Sequence, residues 1–338
     1  MMPKAVLHDH LDGGLRISTI LELADEHGYT GLPTSNAAEL KDWFYQGDSG
    51  SLEAYLEAFE QTVSVMQTES AISRVAYESG IDLHSQGVVY AEMRYGISLS
   101  MRQGLSREAV VEAMIDGFQR AERETGIVMY GIATALRHES DSAAVARVAS
   151  RYVGRGIVGF DLAGPEAGFP PDLHLEACKI SAEAGIGLTL HAGESDGPHS
   201  MWRAIALCGA QRIGHGVHVV DDAVFSGGEL SDLGPFAQRV LDQQIPLEVA
   251  VTSNLHTGSW ATASQHPFGA LHGAGYNVSI NTDNRLMSDV SMVDEYALVA
   301  KTFGLTEEDL TDITIAAIRS GFGDWSTRSA LINAIESQ

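Results

Sequence analysis

The chain is 338 residues long, 44% hydrophobic and 20% charged, with 35 glycines, the profile of a folded globular protein with ample core material and not of a disordered one. A formal charge of −24 repels the phosphate backbones that proteins normally hold with lysine and arginine, so no nucleic-acid partner is expected and a neutral small molecule fits best. No stretch approaches the roughly 18 consecutive apolar residues of a membrane span, and Met1 to His10 contain neither a basic n-region nor a long apolar h-region, so the expected location is cytoplasmic with no membrane partner.

In chain order, short runs rich in valine, isoleucine and alanine alternate with helical patterns, as in repeated βα units. The runs are Ala5 to His10, Val88 to Arg94, Val128 to Ala135, Val158 to Leu162, Gly187 to His191, Arg212 to His215, Leu247 to Thr252 and Val278 to Asn281. Eight such strands predict an α/β fold, a closed parallel (β/α)8 TIM barrel rather than an open sheet. The segment from about Arg16 to Gln86 reads as several helices, an insertion after the first strand. Within it Leu52, Tyr55, Leu56 and Phe59 fall at i, i+3, i+4 and i+7 and so share one helical face, most simply a core-packing stripe. After the last strand, Ser291 to Phe303, Glu307 to Ser320 and Trp325 to Ile335 read as extra C-terminal helices. No linker, low-complexity tract or fixed-period repeat divides the chain, so a single domain over 1–338 is the economical reading. Cys178 and Cys208, far apart and in no C-x-x-C arrangement, read as reduced packing cysteines.

A barrel of this kind places its chemistry at the carboxyl ends of its strands. His8 and His10 end the first strand two residues apart, so the strand period turns both imidazoles to one face, into the barrel mouth. His191 closes the fifth strand, and Glu194 follows after a two-residue turn, which suits a metal ligand beside a carboxylic acid that exchanges protons with substrate. His215 stands between Gly214 and Gly216; these glycines either let a ligand approach closely or simply form a tight turn. Asp283 offers a hard oxygen ligand, although an aspartate after a strand is often a turn or helix cap. Three imidazoles and one carboxylate suit Zn2+ with a position left for water, which then ionises near neutral pH and attacks an electron-poor carbon. Two-metal barrel hydrolases often bridge their ions with a carbamylated lysine. Lys4, Lys41, Lys179 and Lys301 all lie away from the strand carboxyl ends, so one Zn2+ per chain is expected.

Leu7-His8-Asp9-His10-Leu11-Asp12-Gly13, Asp161-Leu162-Ala163-Gly164, His191-Ala192-Gly193-Glu194, Gly214-His215-Gly216 and Ser253-Asn254 together resemble, in order and along essentially the whole chain, the adenosine/AMP deaminase family of metal-dependent amidohydrolases. The resemblance implies His8, His10, His191 and Asp283 as zinc ligands and Glu194 as the acid that protonates purine ring N1. It implies His215 as the group that orients and helps deprotonate the attacking water, which Asp283 also holds on the face of C6. Substrate contacts follow in the same way: His10 beside the substrate, the Gly164 N–H to ring N3, and Asp12 to the ribose 5′-hydroxyl. The apolar stripe becomes a lid over the base. The implied reaction is adenosine, with 2′-deoxyadenosine, plus water to inosine and ammonia in purine salvage, the partner being a small-molecule purine nucleoside and the oligomeric state left open.

One departure concerns Asp283-Asn284, where many members of that family carry two aspartates, the second facing ring N7. An aspartate donates to N7 only when protonated, whereas the Asn284 amide carries N–H donors at every ordinary pH, so Asn284 is expected to keep this contact. Arg285-Leu286-Met287-Ser288 resembles the variant in actinobacterial adenosine deaminases. AMP is disfavoured because its phosphate needs a cationic clamp that this acidic chain does not advertise. Free adenine and a modified 6-aminopurine nucleoside stay open, as does a catalytically silent nucleoside-binding barrel. The cytidine-deaminase zinc site is excluded by the missing P-C-x-x-C pair.

Overall fold

The structure, a computed structural model, describes residues 2–47 and 49–337. Among the described residues ten strands occur in chain order: β1 (Lys4–His10), β2 (Val88–Gly96), β3 (Val128–Leu136), β4 (Ile157–Ala163), β5 (Gly187–Ala192), β6 (Arg212–His215), β7 (Val224–Ser226), β8 (Glu229–Ser231), β9 (Leu247–Val249) and β10 (Val278–Ile280). Eight of them pair in parallel in the order β1-β2-β3-β4-β5-β6-β9-β10, the expected TIM-barrel sheet. β7 and β8 form an antiparallel hairpin outside it, which the sequence reading passed over. Its signal was Gly227-Gly228, both left-handed, the preferred chemistry for a two-residue hairpin turn.

The barrel closes between β10 and β1 by unusual means. The Asn281 side-chain oxygen accepts the backbone N–H groups of Leu7 (2.8 Å) and His8 (3.0 Å), while its amide donates to the Val249 carbonyl at 3.2 Å. Two residues on, the Asp283 N–H donates to the His8 carbonyl and the His10 N–H to the Asp283 carbonyl, at 3.0 and 2.7 Å. A side chain thus substitutes for ladder bonds that the short β10 cannot make. At the amino end, Phe322 enters from the loop after helix Glu307–Ser320 and packs under the Arg212 guanidinium, 3.7 Å from its ring centroid.

Among the described residues five α-helices lie between β1 and β2: Ile17–Glu26, Ala37–Phe44, Leu52–Leu56, Phe59–Val65 and Glu69–Ser85. Asn36, Ser51 and Thr68 start three of them, each side chain accepting a backbone N–H of the first turn. The apolar stripe expected on one helix is divided, because the chain breaks at Glu57–Ala58 and Phe59 opens a second helix. The C-terminal helices Met292–Phe303, Glu307–Ser320 and Trp325–Glu336 agree with expectation, the first two opened by capping boxes at Ser291 and Thr306. The seventh expected strand was drawn too long: Leu247–Val249 is strand, but Val251–His256 is helix. A short apolar run does not separate these states, and buried Glu295 decides here by accepting the Thr252 N–H at 3.0 Å. Cys178 and Cys208 are buried free thiols. Among the described residues no helix is long and apolar enough to cross a membrane.

Asn281→Ala should cost about 3 kcal/mol of unfolding free energy, because it leaves buried backbone groups without partners. Urea denaturation measures it; a loss below about 1 kcal/mol would show that the seam holds without this side chain.

Candidate active site

At the carboxyl end of the barrel the ends of β1 and β5 and the turn after β10 bring His8, His10, His191 and Asp283 together, with one candidate ligand atom from each within 4.8 Å of all the others. Asp283 Oδ1 lies 3.2 Å from His8 Nε2 and 3.4 Å from His10 Nε2, and the Nε2 atoms of His10 and His191 are 3.2 Å apart. Both nitrogens of buried His8 lack a partner in hydrogen-bonding geometry. Lone pairs converging on one point without donors between them are what a divalent cation satisfies, and the N3O donor set is one that Zn2+ accepts. The residues therefore fit a metal, as the sequence proposed. Asp283 also belongs to a second cluster with Glu194 and His215. His215 Nε2 is 3.7 Å from Glu194 Oε2 and 4.0 Å from Asp283 Oδ2.

Local backbone geometry aims these groups. His215 and Asp283 both hold positive φ, 63° and 58°, a conformation that costs energy outside glycine and concentrates at functional sites. The Ser253 hydroxyl donates to Asp283 Oδ2 at 2.5 Å, and the Asn254 amide lies 3.1 Å from His215 Nδ1. Under the histidines runs a second layer. Glu248 Oε2 is 3.2 Å from His8 Nδ1, and Asp161 Oδ1 is 3.0 Å from His191 Nδ1, the carboxylate–imidazole pairing that orients metal ligands. Arg94 donates to Glu248 at 2.5 Å and reaches Asp161 at 3.4 Å; Arg212 bridges Glu248 and Glu92, both at 2.7 Å.

Burial and neighbouring charge drive the site's proton affinities apart. Burial first, and then the Asp283 and Glu166 charges, push the Glu194 carboxyl well above the usual glutamate range, which favours its protonated form. Burial and the neighbouring His8 hold His215 well below the usual histidine value, so it is a neutral base. Burial likewise lowers His10 and His191, the neutral form that ligates metal. His8 goes the other way: burial and Arg94 lower it, but the Asp283 and Glu248 carboxylates facing its two nitrogens outweigh them and raise it. The two carboxylates thus favour positive charge at this spot.

A cavity of about 380 Å3, within the usual range for small-molecule sites, opens onto this cluster. The sequence-proposed residues Asp12, Gly164, Glu194, His215, Asp283 and Asn284 all line it, as do Leu52, Tyr55, Leu56 and Phe59. Asp12 is buried with Oδ1 unpartnered, and burial raises its pKa to about 7. Gly164 takes φ +93°, which turns the backbone here as a residue with a side chain rarely would. Gly13 makes room for Asn284, since a Cβ there would stand 2.2 Å from Asn284 Oδ1. Sequence reasoning missed the roles of Arg94, Arg212, Glu92 and Glu248. Their signal was available: charged residues inside runs otherwise apolar enough for a buried parallel strand.

Fold and site together define a TIM-barrel amidohydrolase with a buried metal-binding centre. The adenosine deaminase family model matches residues 3–338, and the chain belongs to the adenosine deaminase family, a family of hydrolases. Adenosine deaminase of Mycobacterium marinum is 45% identical over 98% of this chain and 94% of its own length. Adenosine deaminase 1 of Streptomyces coelicolor is also 45% identical, over 98% of this chain and 86% of its own. In fold, the chain is similar to the crystal structure of adenine deaminase from Arthrobacter aurescens, with TM-score 0.89 and 24% identity over 100% of this chain and 99% of that one.

The second layer makes a separable prediction. Asp161→Asn should leave the barrel folded and weaken divalent-metal affinity about 10- to 100-fold, measured by competition with a chelator. Unchanged affinity would deny Asp161 any part in orienting His191.

Proposed function

We propose that this chain hydrolyses adenosine and 2′-deoxyadenosine to the corresponding inosine and ammonia, as one domain over residues 1–338 serving purine salvage in the cytoplasm. The carrying observation is that the His8, His10, His191 and Asp283 cluster and the Glu194, His215 and Asp283 cluster share one carboxylate. A metal centre and an acid–base pair of opposed proton affinities therefore meet at one point of a single cavity.

In this reading His8, His10, His191 and Asp283 hold one Zn2+, which when bound supplies a water acidified enough to act as nucleophile near pH 7. The protonated Glu194 donates to purine N1 and draws electrons from C6. His215, neutral, takes a proton from the attacking water, and Asp283 orients that water on the face of C6. The Gly164 N–H and Asp12 fix the purine N3 and ribose 5′-hydroxyl ends. As the adduct collapses, the proton returns to the departing nitrogen and ammonia leaves. The Asn284 amide lines the cavity and carries N–H donors suited to ring N7.

A nucleoside is favoured over a nucleotide by the cavity's charges. Among the described residues Arg102 is the one lysine or arginine lining it, and both its terminal nitrogens are engaged by the Glu60 carboxylate, at 2.6 and 2.9 Å. A 5′-phosphate would have to displace that carboxylate and approach Glu57 and Asp12 as well.

Purified protein should convert adenosine and 2′-deoxyadenosine, with AMP at least about 100-fold poorer in kcat/KM, equivalent to roughly 2.7 kcal/mol. Inertness toward the whole panel in metal-loaded protein would defeat the proposal. Glu194→Gln should keep one metal per chain and lose about 100-fold or more in turnover, whereas His191→Ala should lose the metal as well. For Asn284 the probe is 7-deazaadenosine, whose kcat/KM should drop about tenfold for one lost hydrogen bond; an unimpaired value would remove the N7 contact.

A further inference from the structure

Three residues beyond the end of β4, the loop after Gly164 turns a glutamate inward. Glu166 is 3% exposed and collects five donors. Its Oε1 accepts the Gly193 N–H at 2.7 Å and the Ser200 hydroxyl at 2.5 Å. Its Oε2 accepts three consecutive backbone N–H groups, from Glu194 at 3.0 Å, Ser195 at 2.9 Å and Asp196 at 3.1 Å. Four successive amides of the loop after β5 thus wrap one carboxylate, forming the kind of backbone concavity that elsewhere binds a free anion. Here the anion is built into the chain.

We propose that Glu166 is a positioning residue for the acid of the reaction: it ties the β4 loop to the β5 loop and fixes the Glu194 carboxyl at the substrate. The inference rests on the reading of Glu194 as that acid. Bonding directly to the Glu194 backbone N–H, Glu166 restrains the backbone that carries the carboxyl. Gly164 and Glu166 share one short loop, so the tether also sets the spacing between the two groups assigned to purine N3 and N1. The carbonyl side of Glu194 is held too, by the Ser259 hydroxyl at 2.7 Å. An acid displaced by an ångström loses most of its effect, because proton donation needs hydrogen-bond reach and alignment.

No neutral isostere satisfies this nest. In Glu166→Gln one oxygen still accepts, but the amide nitrogen turns a donor toward backbone N–H groups that need an acceptor. Glu166→Gln should therefore lose between about 10- and 100-fold in kcat for adenosine while binding one metal per chain as wild type does. A double-mutant cycle with Glu194→Gln separates positioning from general structural support. If Glu166 acts through Glu194, adding Glu166→Gln to Glu194→Gln should lower the remaining rate by less than about threefold. A full multiplicative loss in the double variant would overturn the inference, as would a wild-type kcat in Glu166→Gln. If Glu166→Gln does not fold, Glu166→Asp replaces it in the same cycle; it keeps the charge and shortens the reach, and the same two outcomes decide. A Glu194→Gln enzyme at wild-type rate would overturn the acid assignment and this inference with it. A crippled Glu194→Gln beside an unimpaired Glu166→Gln would overturn this inference alone.

Discussion

Glu248 lies at the centre of the barrel's electrostatics. One of its oxygens meets Arg94 and His8, the other Arg212 and Thr189, and none of these side chains sees solvent to any extent. Around it, Glu92, Glu248 and Asp161 pair with Arg94 and Arg212, while Asp283 faces His8. A buried ion network of this size contributes little net stability, since desolvation costs about as much as pairing returns. Its role is positional: it replaces the branched aliphatic layer that would ordinarily fill this part of a barrel and fixes the rotations of His8 and His191. Changing one member alters the charge its neighbours face, so its effect is felt at the histidines above.

The same economy explains where the strain lies. His215 and Asp283 hold left-handed backbone at the carboxyl ends of two strands, and each is fixed by a neighbour on the segment after β9: Asn254 beside His215, Ser253 on Asp283. That segment leaves the barrel after three strand residues and turns into helix at Val251. Had it continued as strand, Ser253 and Asn254 would have pointed to opposite faces of the sheet. The short strand is therefore a condition of the site, and Asn281 repairs the seam that the equally short β10 leaves behind.

Much of this was legible in the residues. The barrel, the insertion and the terminal helices follow from periodicity, and His8 with His10 declares a shared face because a strand repeats every two residues. The end of β9 was not legible, since Leu247 to Thr252 is equally apolar as strand or helix and the choice rests on distant Glu295. Nor does local pattern reveal a tether such as Glu166, which reads as an ordinary loop glutamate until the β5 loop wraps it. Charged residues within β2, β6 and β9 were visible, and only their convergence across 154 positions, from Arg94 to Glu248, gives them meaning. Motifs name the groups that touch substrate; the residues that aim them are long-range neighbours and carry no local signature.

The two short helices over the cavity show what the divided stripe accomplishes. Leu52 and Tyr55 are buried while Leu56 and Phe59 are half-buried; all four line the cavity, and Tyr55 and Phe59 pack into the core as well. From the second of these helices Glu60 pairs with both terminal nitrogens of Arg102, at 2.6 and 2.9 Å. The Tyr55 hydroxyl meets Ser288 at 2.8 Å, and Ser49 and Gly50 donate to the His256 carbonyl at 2.9 and 3.0 Å. At about 1 kcal/mol net for each such bond, releasing them costs far less than disturbing the ion layer below. The cover is therefore held less tightly than the layer beneath it. Glu57 and Glu60 stand at the edge of this cover, so the cavity's rim carries negative charge where its inner face is apolar, and charge and apolar surface are separated within one short stretch of chain.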